Sequence, residues 1–270
     1  MKKALYIVTI LLLVAAFGIS AFQVGSYFLE SKKQADRFDE LSAMLEDTTP
    51  PETKPAIQPT EGTGETVEQT TAPTEHVDTY ADRMRNIYDL NNDLVGWLKI
   101  DGTELDYPVM QTSADNRDYY LEHDFDGEKS KRGCIYAREE CDVNEPSDNI
   151  TLYGHNMADG SMFAALNAYT EREAWENNSM IEFGTLTERH TYKIFAVFKT
   201  SASLGQGFAY HQFVDAKDEA EFNQFVKTCK DLSFYDTGET PKYGDSLITL
   251  STCEYTLENG RLVVVAYRIF

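Results

Sequence analysis

Hydrophobic and polar positions divide the chain into three stretches, and the first is predominantly apolar. Residues 4–22 contain no charged side chain and follow Lys2 and Lys3. A helix over these residues would be about 29 Å long, enough to cross the hydrocarbon core of a bilayer. The apolar region of a cleaved signal peptide is shorter, about 7–15 residues. The pattern therefore predicts an uncleaved, single-pass membrane anchor at residues 4–22. The positive-inside rule then places residues 1–3 in the cytoplasm and the rest of the chain outside the cell.

Polar residues dominate the second stretch, residues 23–79. Its first part, Glu30 to Glu46, could continue as a polar helix, whereas residues 47–75 are rich in Thr, Pro, Glu and Gly and nearly devoid of apolar side chains. Such a segment cannot bury a hydrophobic core and is expected to be disordered. About 30 residues of flexible chain would reach roughly 30 Å. We therefore expect residues 23–79 to form an extracellular stalk and acidic linker, followed by a folded domain at residues 80–270.

Short apolar runs, several of them alternating or β-branched, fill the third stretch and predict strands. The predicted strands cover residues 95–100, 107–111, 133–137, 149–155, 180–186, 191–200, 246–252 and 261–270. Helical spacing predicts helices over residues 77–90 and 216–232, and a short helix from Ser161, its N-cap, to Tyr169. A hairpin turn is expected at residues 188–190. Many short strands with few peripheral helices predict a mainly β fold, a closed or nearly closed barrel.

The composition argues against a nucleic-acid partner, a disulfide framework and a metal site. The net charge of −21 argues against a nucleic-acid partner, because binding to phosphates requires clustered Lys and Arg. Four cysteines in a chain of this length do not make a disulfide framework. Cys134 and Cys141 could pair only if their strands allow it, and Cys229 is expected in the core. No Cys-x-x-Cys or His-rich spacing predicts a metal site.

Three chemically active residues fall at the ends of predicted strands. Cys253 closes an apolar, β-branched run, and Arg261 opens the next strand eight residues later. A hairpin of this length brings Arg261 close to Cys253, and a nearby positive charge favours the thiolate. A buried structural cysteine is the alternative interpretation. His155 ends a third run, directly after Gly154, a residue that permits a tight turn. The three residues together indicate a reactive thiol with an imidazole partner.

These runs resemble the sortases, the cysteine transpeptidases of Gram-positive bacteria. The resemblance rests on Leu152-Tyr-Gly-His155, Thr249-Leu-Ser-Thr-Cys253 and Arg261-Leu-Val-Val-Val-Ala266. Further stretches are similar to class B in particular, at residues 94–100, 105–111, 119–125 and 161–163. The resemblance runs from about residue 87 to residue 270. It implies an eight-stranded sortase-type β-barrel, an N-terminal helix that packs below the barrel, and a helix between the sixth and seventh strands.

The resemblance also implies a reaction and its participants. Cys253 would attack the Thr carbonyl of a C-terminal sorting signal in a secreted protein, with a signal similar to Asn-Pro-x-Thr-Asn or x-Pro-x-Thr-Gly. His155 would protonate the leaving amine and deprotonate the incoming one, and Arg261 would bind the oxyanion or the substrate backbone. The acceptor would be an amine of a peptidoglycan precursor (lipid II) or of a wall peptide. No cofactor is implied.

Further positions correspond to the substrate groove of class B enzymes. These positions are Ser251, Glu254, Leu121, Asn116, Ala202, Phe208 and Tyr210. Two alternatives to wall anchoring remain open. The chain could be a pilin-polymerising sortase that joins subunits through Lys, or a catalytically inactive binding domain tethered to the membrane.

Overall fold

A long N-terminal helix precedes all other structure in the computed structural model, which describes residues 2–46, 79–203 and 205–270. Helix α1 spans Lys2–Leu45 and joins the predicted anchor to the predicted polar helix without a break. Among the described residues, α1 is the one helix long and apolar enough to cross a membrane, with a mean hydropathy of 1.8 in its most apolar window. The predicted disordered linker at residues 47–75 lies outside the described residues.

Eight strands close into a barrel, as the sequence predicts. The strands are β1 (Leu94–Lys99), β2 (Asp106–Met110), β3 (Ile135–Ala137), β4 (Asn149–Tyr153), β5 (Met180–Gly184), β6 (Arg189–Ser201), β7 (Leu247–Glu254) and β8 (Gly260–Arg268). Their order around the barrel is β1-β2-β3-β4-β7-β8-β6-β5. The β2–β3 and β4–β7 pairs are parallel, and the remaining pairs are antiparallel. The parallel pairing of β4 with β7 places the ends of these two strands at the same edge of the barrel.

Three further helices pack around the barrel. They are α2 (Tyr80–Tyr88), α3 (Arg172–Asn177) and α4 (Glu219–Leu232), the last of which lies between the sixth and seventh strands as expected. Successive residues of β7 face opposite sides of the sheet. Ile248 and Leu250 belong to the cluster inside the barrel, whereas Leu247 belongs to a second cluster that α4 covers from outside. Ser251 and Cys253 share the outer face with Leu247, so the reactive thiol lies outside the barrel wall.

The end of α1 packs against the barrel, so the folded unit includes residues that precede its predicted start at residue 80. Phe38, Leu41 and Leu45 are buried in the barrel's core cluster. The carbonyl of Leu45 accepts hydrogen bonds from Arg83 Nε at 3.1 Å and from Arg189 Nη2 at 3.4 Å. Two cations thus cap the negative end of the α1 dipole. The last three turns of α1 therefore belong to the same folded unit as the barrel and not to a separate stalk.

The starts of two predicted helices and the position of one predicted hairpin turn differ from the structure, and specific contacts explain the differences. Ser161 does not cap a helix, because its hydroxyl donates to Asp159 at 2.7 Å, and a 3₁₀ helix begins instead at Phe163. Helix α4 begins at Glu219 and not at residue 216, because Asp218 accepts the backbone N–H of Glu221 and acts as the N-cap. The hairpin turn expected at residues 188–190 lies earlier, since residues 189 and 190 already pair with β5.

All four cysteines are free thiols, so the possible bridge between Cys134 and Cys141 is absent. Cys134, Cys141 and Cys229 are buried, and only Cys253 is partly exposed. Burial raises the pKa of Cys141 to about 11 and that of Cys134 and Cys229 well above the usual thiol value. The three buried thiols are therefore unreactive, which leaves Cys253 as the candidate nucleophile.

Candidate active site

Parallel strands β4 and β7 deliver His155 and Cys253 to one end of the barrel. Tyr153 of β4 is the register partner of Ser251 of β7. His155 and Cys253 each follow two residues later, so they lie next to each other. Hydrogen bonds hold the two chains together beyond the strands. Thr252 Oγ1 donates to the Gly154 carbonyl at 2.8 Å, and Asn156 Nδ2 donates to the Cys253 carbonyl at 3.0 Å. The backbone around both reactive residues is thus fixed on both sides.

Gly154 is required for packing and not for the tight turn that its position suggests. Its backbone is outside the left-handed region. A Cβ at this position would lie 2.4 Å from Ile135 Cδ1 and 3.0 Å from the ring of Phe163, both of which are fully buried. A larger residue at position 154 would therefore force the side chains of Ile135 and Phe163 to shift within the core.

Arg261 lies directly across the β7–β8 hairpin from Cys253. The two residues are register partners, and side chains at such positions have Cβ atoms about 4.5–5.5 Å apart. Arg261 Nη1 donates to the carbonyl of Gly260 at 2.9 Å, which directs the guanidinium along the hairpin. Within the described part of the chain, Arg261 has no carboxylate partner within 4 Å. Its charge and its remaining N–H donors are therefore available to a substrate.

The imidazole of His155 has one nitrogen committed to the protein. Its Nε2 lies 2.8 Å from the carbonyl oxygen of Leu121. Because a carbonyl oxygen can only accept, Nε2 must carry the proton of this bond. Nδ1 is then the nitrogen that gains and loses a proton. The contact also ties the His155 ring to the loop that contains Leu121.

A groove of about 370 Å³ joins these side chains on the outer face of β3, β4, β7 and β8. It is lined by Arg117, Asp118, Leu121, Tyr136, Arg138, Glu139, Tyr153, Gly154, His155, Ser251, Thr252, Cys253 and Arg261. Burial raises the pKa of Tyr136 and of Tyr153, so both phenols stay protonated. The groove thus combines a thiol, an imidazole, a guanidinium and neutral hydroxyls along one wall, and an extended peptide could lie against it.

Three of the predicted substrate residues lie at the groove or directly beneath it. Leu121 and Ser251 are part of its lining. Tyr210 is buried below the groove, and its hydroxyl lies 2.6 Å from Ser251 Oγ. Ser251 is therefore held by Tyr210, and the pair joins the groove floor to the aromatic cluster under α4.

The other predicted substrate residues are placed away from the groove lining. Glu254 is buried and lies 2.9 Å from Lys199 Nζ. Burial alone would raise its pKa, but hydrogen bonds from Thr256 and Lys199 lower it to about 2. Asn116 and Ala202 are exposed, and Phe208 packs on other aromatic rings. Glu254 thus has a structural role in the β7–β8 hairpin, and the structure brings none of these four residues to the cleft.

Sequence reasoning missed several residues that line the groove. Tyr136, Arg138, Arg117 and Asp118 belong to no recognised motif, and Tyr153 falls inside the Leu152–His155 motif but was given no role in the site. The signal that could have identified Tyr136 and Tyr153 is strand alternation, since both occupy the outward face of their strands next to Ser251. The residues of the loop, Arg117 and Asp118, had no such signal.

Comparisons with known proteins agree with this architecture. The Sortase domain family profile matches residues 98–269. The sortase B of Listeria monocytogenes is 36% identical over 186 residues, which cover 68% of this chain and 72% of the relative. The sortase B of Staphylococcus aureus is 26% identical over 268 residues, which cover 98% of this chain and 97% of the relative.

Solved structures of sortase B have the same fold. A substrate complex of Staphylococcus aureus sortase B has a TM-score of 0.63 at 30% identity, covering 69% of this chain and 84% of that chain. A mutant form of Clostridium perfringens sortase B has a TM-score of 0.61 at 28% identity, covering 70% and 88%. The closed barrel, the groove at Cys253 and the similarity to sortase B together define the chain as a cysteine transpeptidase. The chain belongs to the sortase family, and its relatives place it in class B.

Proposed function

We propose that this class B sortase is a membrane-anchored extracellular enzyme that attaches secreted proteins to the cell wall. It would cleave a C-terminal sorting signal similar to Asn-Pro-x-Thr-Asn or x-Pro-x-Thr-Gly after Thr. It would then transfer the protein to an amine of lipid II or of a wall peptide. The observation that carries this proposal is the meeting of Cys253, His155 and Arg261 at one groove.

Cys253 is the proposed nucleophile. Its thiolate attacks the Thr carbonyl carbon, and Arg261, directly across the hairpin, donates hydrogen bonds to the oxygen that becomes negative. The planar fork of Arg suits this role because it presents several fixed donors at once. The tetrahedral intermediate then collapses to a thioester as the C–N bond breaks.

His155 is the proposed acid and base of the same cycle. Its Nδ1 gives a proton to the departing amine and later takes one from the acceptor amine that attacks the thioester. The thiolate of Cys253 is thereby released, and the original protonation states are restored. The bond between Nε2 and the Leu121 carbonyl holds the ring in one orientation during both transfers.

The N-terminal segment supports the proposed location. Residues 4–22 would span the membrane, residues 1–3 would lie in the cytoplasm, and the barrel would lie outside the cell. The side chains of α1 that the structure describes between residues 6 and 26 are exposed, as expected for a helix surrounded by lipid.

The test uses the full chain in detergent micelles and a panel of quenched sorting-signal peptides, with and without amine acceptors. The parent should cleave one signal class and form a product heavier by the mass of the acceptor. Cys253→Ala should abolish cleavage, whereas Cys229→Ala, a buried control, should retain it. Preference for a Lys-containing pilin peptide over a wall amine would instead favour pilus assembly. No cleavage and no thioester on Cys253 with any peptide would favour the inactive binding domain.

A further inference from the structure

The barrel touches α1 inside the uncharged stretch that begins at the membrane anchor. No charged residue occurs between residues 4 and 29, and Glu30 is the first. Lys131, on the loop before β3, places its Nζ over the ring of Tyr27, 5.8 Å from the centroid. One turn further, Arg132 bonds to Ser31, and Gln34 donates to the Gly133 carbonyl at 2.6 Å. The catalytic domain therefore follows the anchor directly, with no spacer between them.

Helix geometry gives the depth of this contact. Residues 4–29 form about 39 Å of helix, whereas the hydrocarbon core of a bilayer is about 30 Å thick and about 40–45 Å with its headgroups. With Lys3 at the inner surface, Tyr27 falls in the outer headgroup layer, where tyrosine is enriched. Lys131, in contact with Tyr27, then lies at the level of the lipid phosphates.

Exposed lysines concentrate at this level of a strongly acidic protein. Lys32, Lys33, Lys129 and Lys131 are all exposed, and none has a carboxylate partner within 4 Å in the described part of the chain. They form what we call the juxtamembrane lysine cluster.

Three carboxylates near the lysine cluster are engaged by other groups. Asp126 is bound by Arg37, ten residues beyond Tyr27 and thus about 15 Å further along α1. Asp159 is bound by Arg132. Asp124 lies near Lys33, but its carboxylate accepts the backbone N–H groups of residues 126 and 128. The four lysines therefore outnumber Glu30 and Glu128, the exposed carboxylates that lie within two residues of them.

We propose that the juxtamembrane lysine cluster binds the phosphate groups of anionic phospholipids and holds the catalytic domain in a fixed orientation on the bilayer. This inference rests on the membrane anchoring proposed above. A net charge of −21 repels an anionic surface, so a local cluster of lysines is needed for close approach. Continuity of the cluster with the membrane-spanning helix favours a lipid headgroup over a soluble anion.

Lysine footprinting by mass spectrometry tests this contact directly. The full chain is reconstituted into nanodiscs of phosphatidylcholine alone, or of phosphatidylcholine mixed with phosphatidylglycerol, and treated briefly with an amine-acetylating reagent. Lys129 and Lys131 should react about fivefold more slowly in the anionic discs. Lys217, Lys227 and Lys242, which are exposed on or near α4, serve as internal references and should react equally in both. Soluble glycerol phosphate added to the neutral discs should not reproduce the protection.

Two double variants that remove the same amount of charge distinguish an effect of the lysine cluster from an effect of net charge. Lys129→Gln with Lys131→Gln should remove the lipid dependence of acetylation at residues 32 and 33, whereas Lys227→Gln with Lys242→Gln should leave it intact. Equal reaction in both discs, or equal slowing of the reference lysines, would overturn the lysine proposal alone. A chain that does not remain with the nanodiscs would overturn the anchoring as well. Peptide cleavage in micelles reports separately on the catalytic proposal.

Discussion

Gly154→Ala should displace active-site residues by overpacking the core, although it changes none of the reactive side chains. The added Cβ would lie 2.4 Å from Ile135 Cδ1 and 3.0 Å from the ring of Phe163. Overpacking of this kind lowers the free energy of unfolding by about 1–3 kcal/mol. The strain falls on the residue before His155 and on the carbonyl bonded by Thr252. Because small displacements of positioned groups are costly, kcat/KM should fall by about 10- to 100-fold.

The assay combines urea unfolding with peptide cleavage on a chain that begins at Glu30. This chain keeps the docked turns of α1 and lacks the membrane span. Fluorescence of Trp97 and Trp175 reports unfolding, and a quenched peptide reports kcat and KM. The variant keeps Cys253, so a thiol reagent should label the unfolded variant to the same extent as the unfolded parent.

Ile135→Val supplies the decisive control because it removes the atom that the new Cβ would strike. Alone it should cost about 0.5–1.5 kcal/mol. In combination with Gly154→Ala, the two changes should be less destabilising than their sum by about 1 kcal/mol or more, and part of the activity should return. A Gly154→Ala variant as stable and active as the parent, or strictly additive effects in the double variant, would refute the packing explanation.

Four other perturbations test separate parts of the structure. Arg261→Lys keeps the positive charge but loses the planar fork, so kcat/KM for cleavage should fall by about 10²–10³ with an unchanged melting temperature. Tyr210→Phe leaves the buried Ser251 hydroxyl without its partner and should lower the unfolding free energy by about 1–3 kcal/mol, part of which a second change, Ser251→Ala, should recover. Glu254→Gln should be less stable than the parent at neutral pH. Because the carboxylate's pKa is lowered from 4.5 to about 2, that difference should vanish as pH falls from about 4.5 towards 2, which melting curves across pH would show. Removing residues 1–79 takes the buried side chains of α1 from the core. The free energy of unfolding should then be about 2–4 kcal/mol lower than that of the chain from residue 30, which urea unfolding would show as a lower midpoint.

Local pattern was sufficient to place most strands, because apolar alternation is set by which side of the barrel wall each residue faces. It could not give the order of the strands around the barrel, since alternation carries no information about which strands pair. The pattern itself predicts eight strands, whereas the expectation that they form a sortase-type barrel came from the resemblance of short motifs around His155 and Cys253. Most errors lay at element ends, where one hydrogen bond decides the boundary, but helix α3 and the docking of the last turns of α1 were not predicted. Asp218 and Ser161 are examples, and each makes a side-chain contact that composition does not specify.

The residues of the candidate site that belong to a sequence motif were predictable. Those whose role depends on packing or on a backbone group were not. Cys253 and Arg261 could be paired from hairpin length alone, and the structure makes them register partners. The contribution of Leu121 through its backbone carbonyl leaves no trace in the sequence, because any residue has one. Gly154 was recognised for the wrong reason, since its close approach to Ile135 depends on a strand far away in the chain.

Parallel pairing of β4 with β7 also determines when during folding the active site forms. The hydrogen bond from Thr252 to Gly154 joins residues 98 positions apart. Contacts of such long sequence separation require closure of a large loop and form slowly. The imidazole and the thiol therefore meet only after the C-terminal hairpin has joined the barrel. A chain whose last strands have not yet paired carries both groups, but they remain apart and cannot act together.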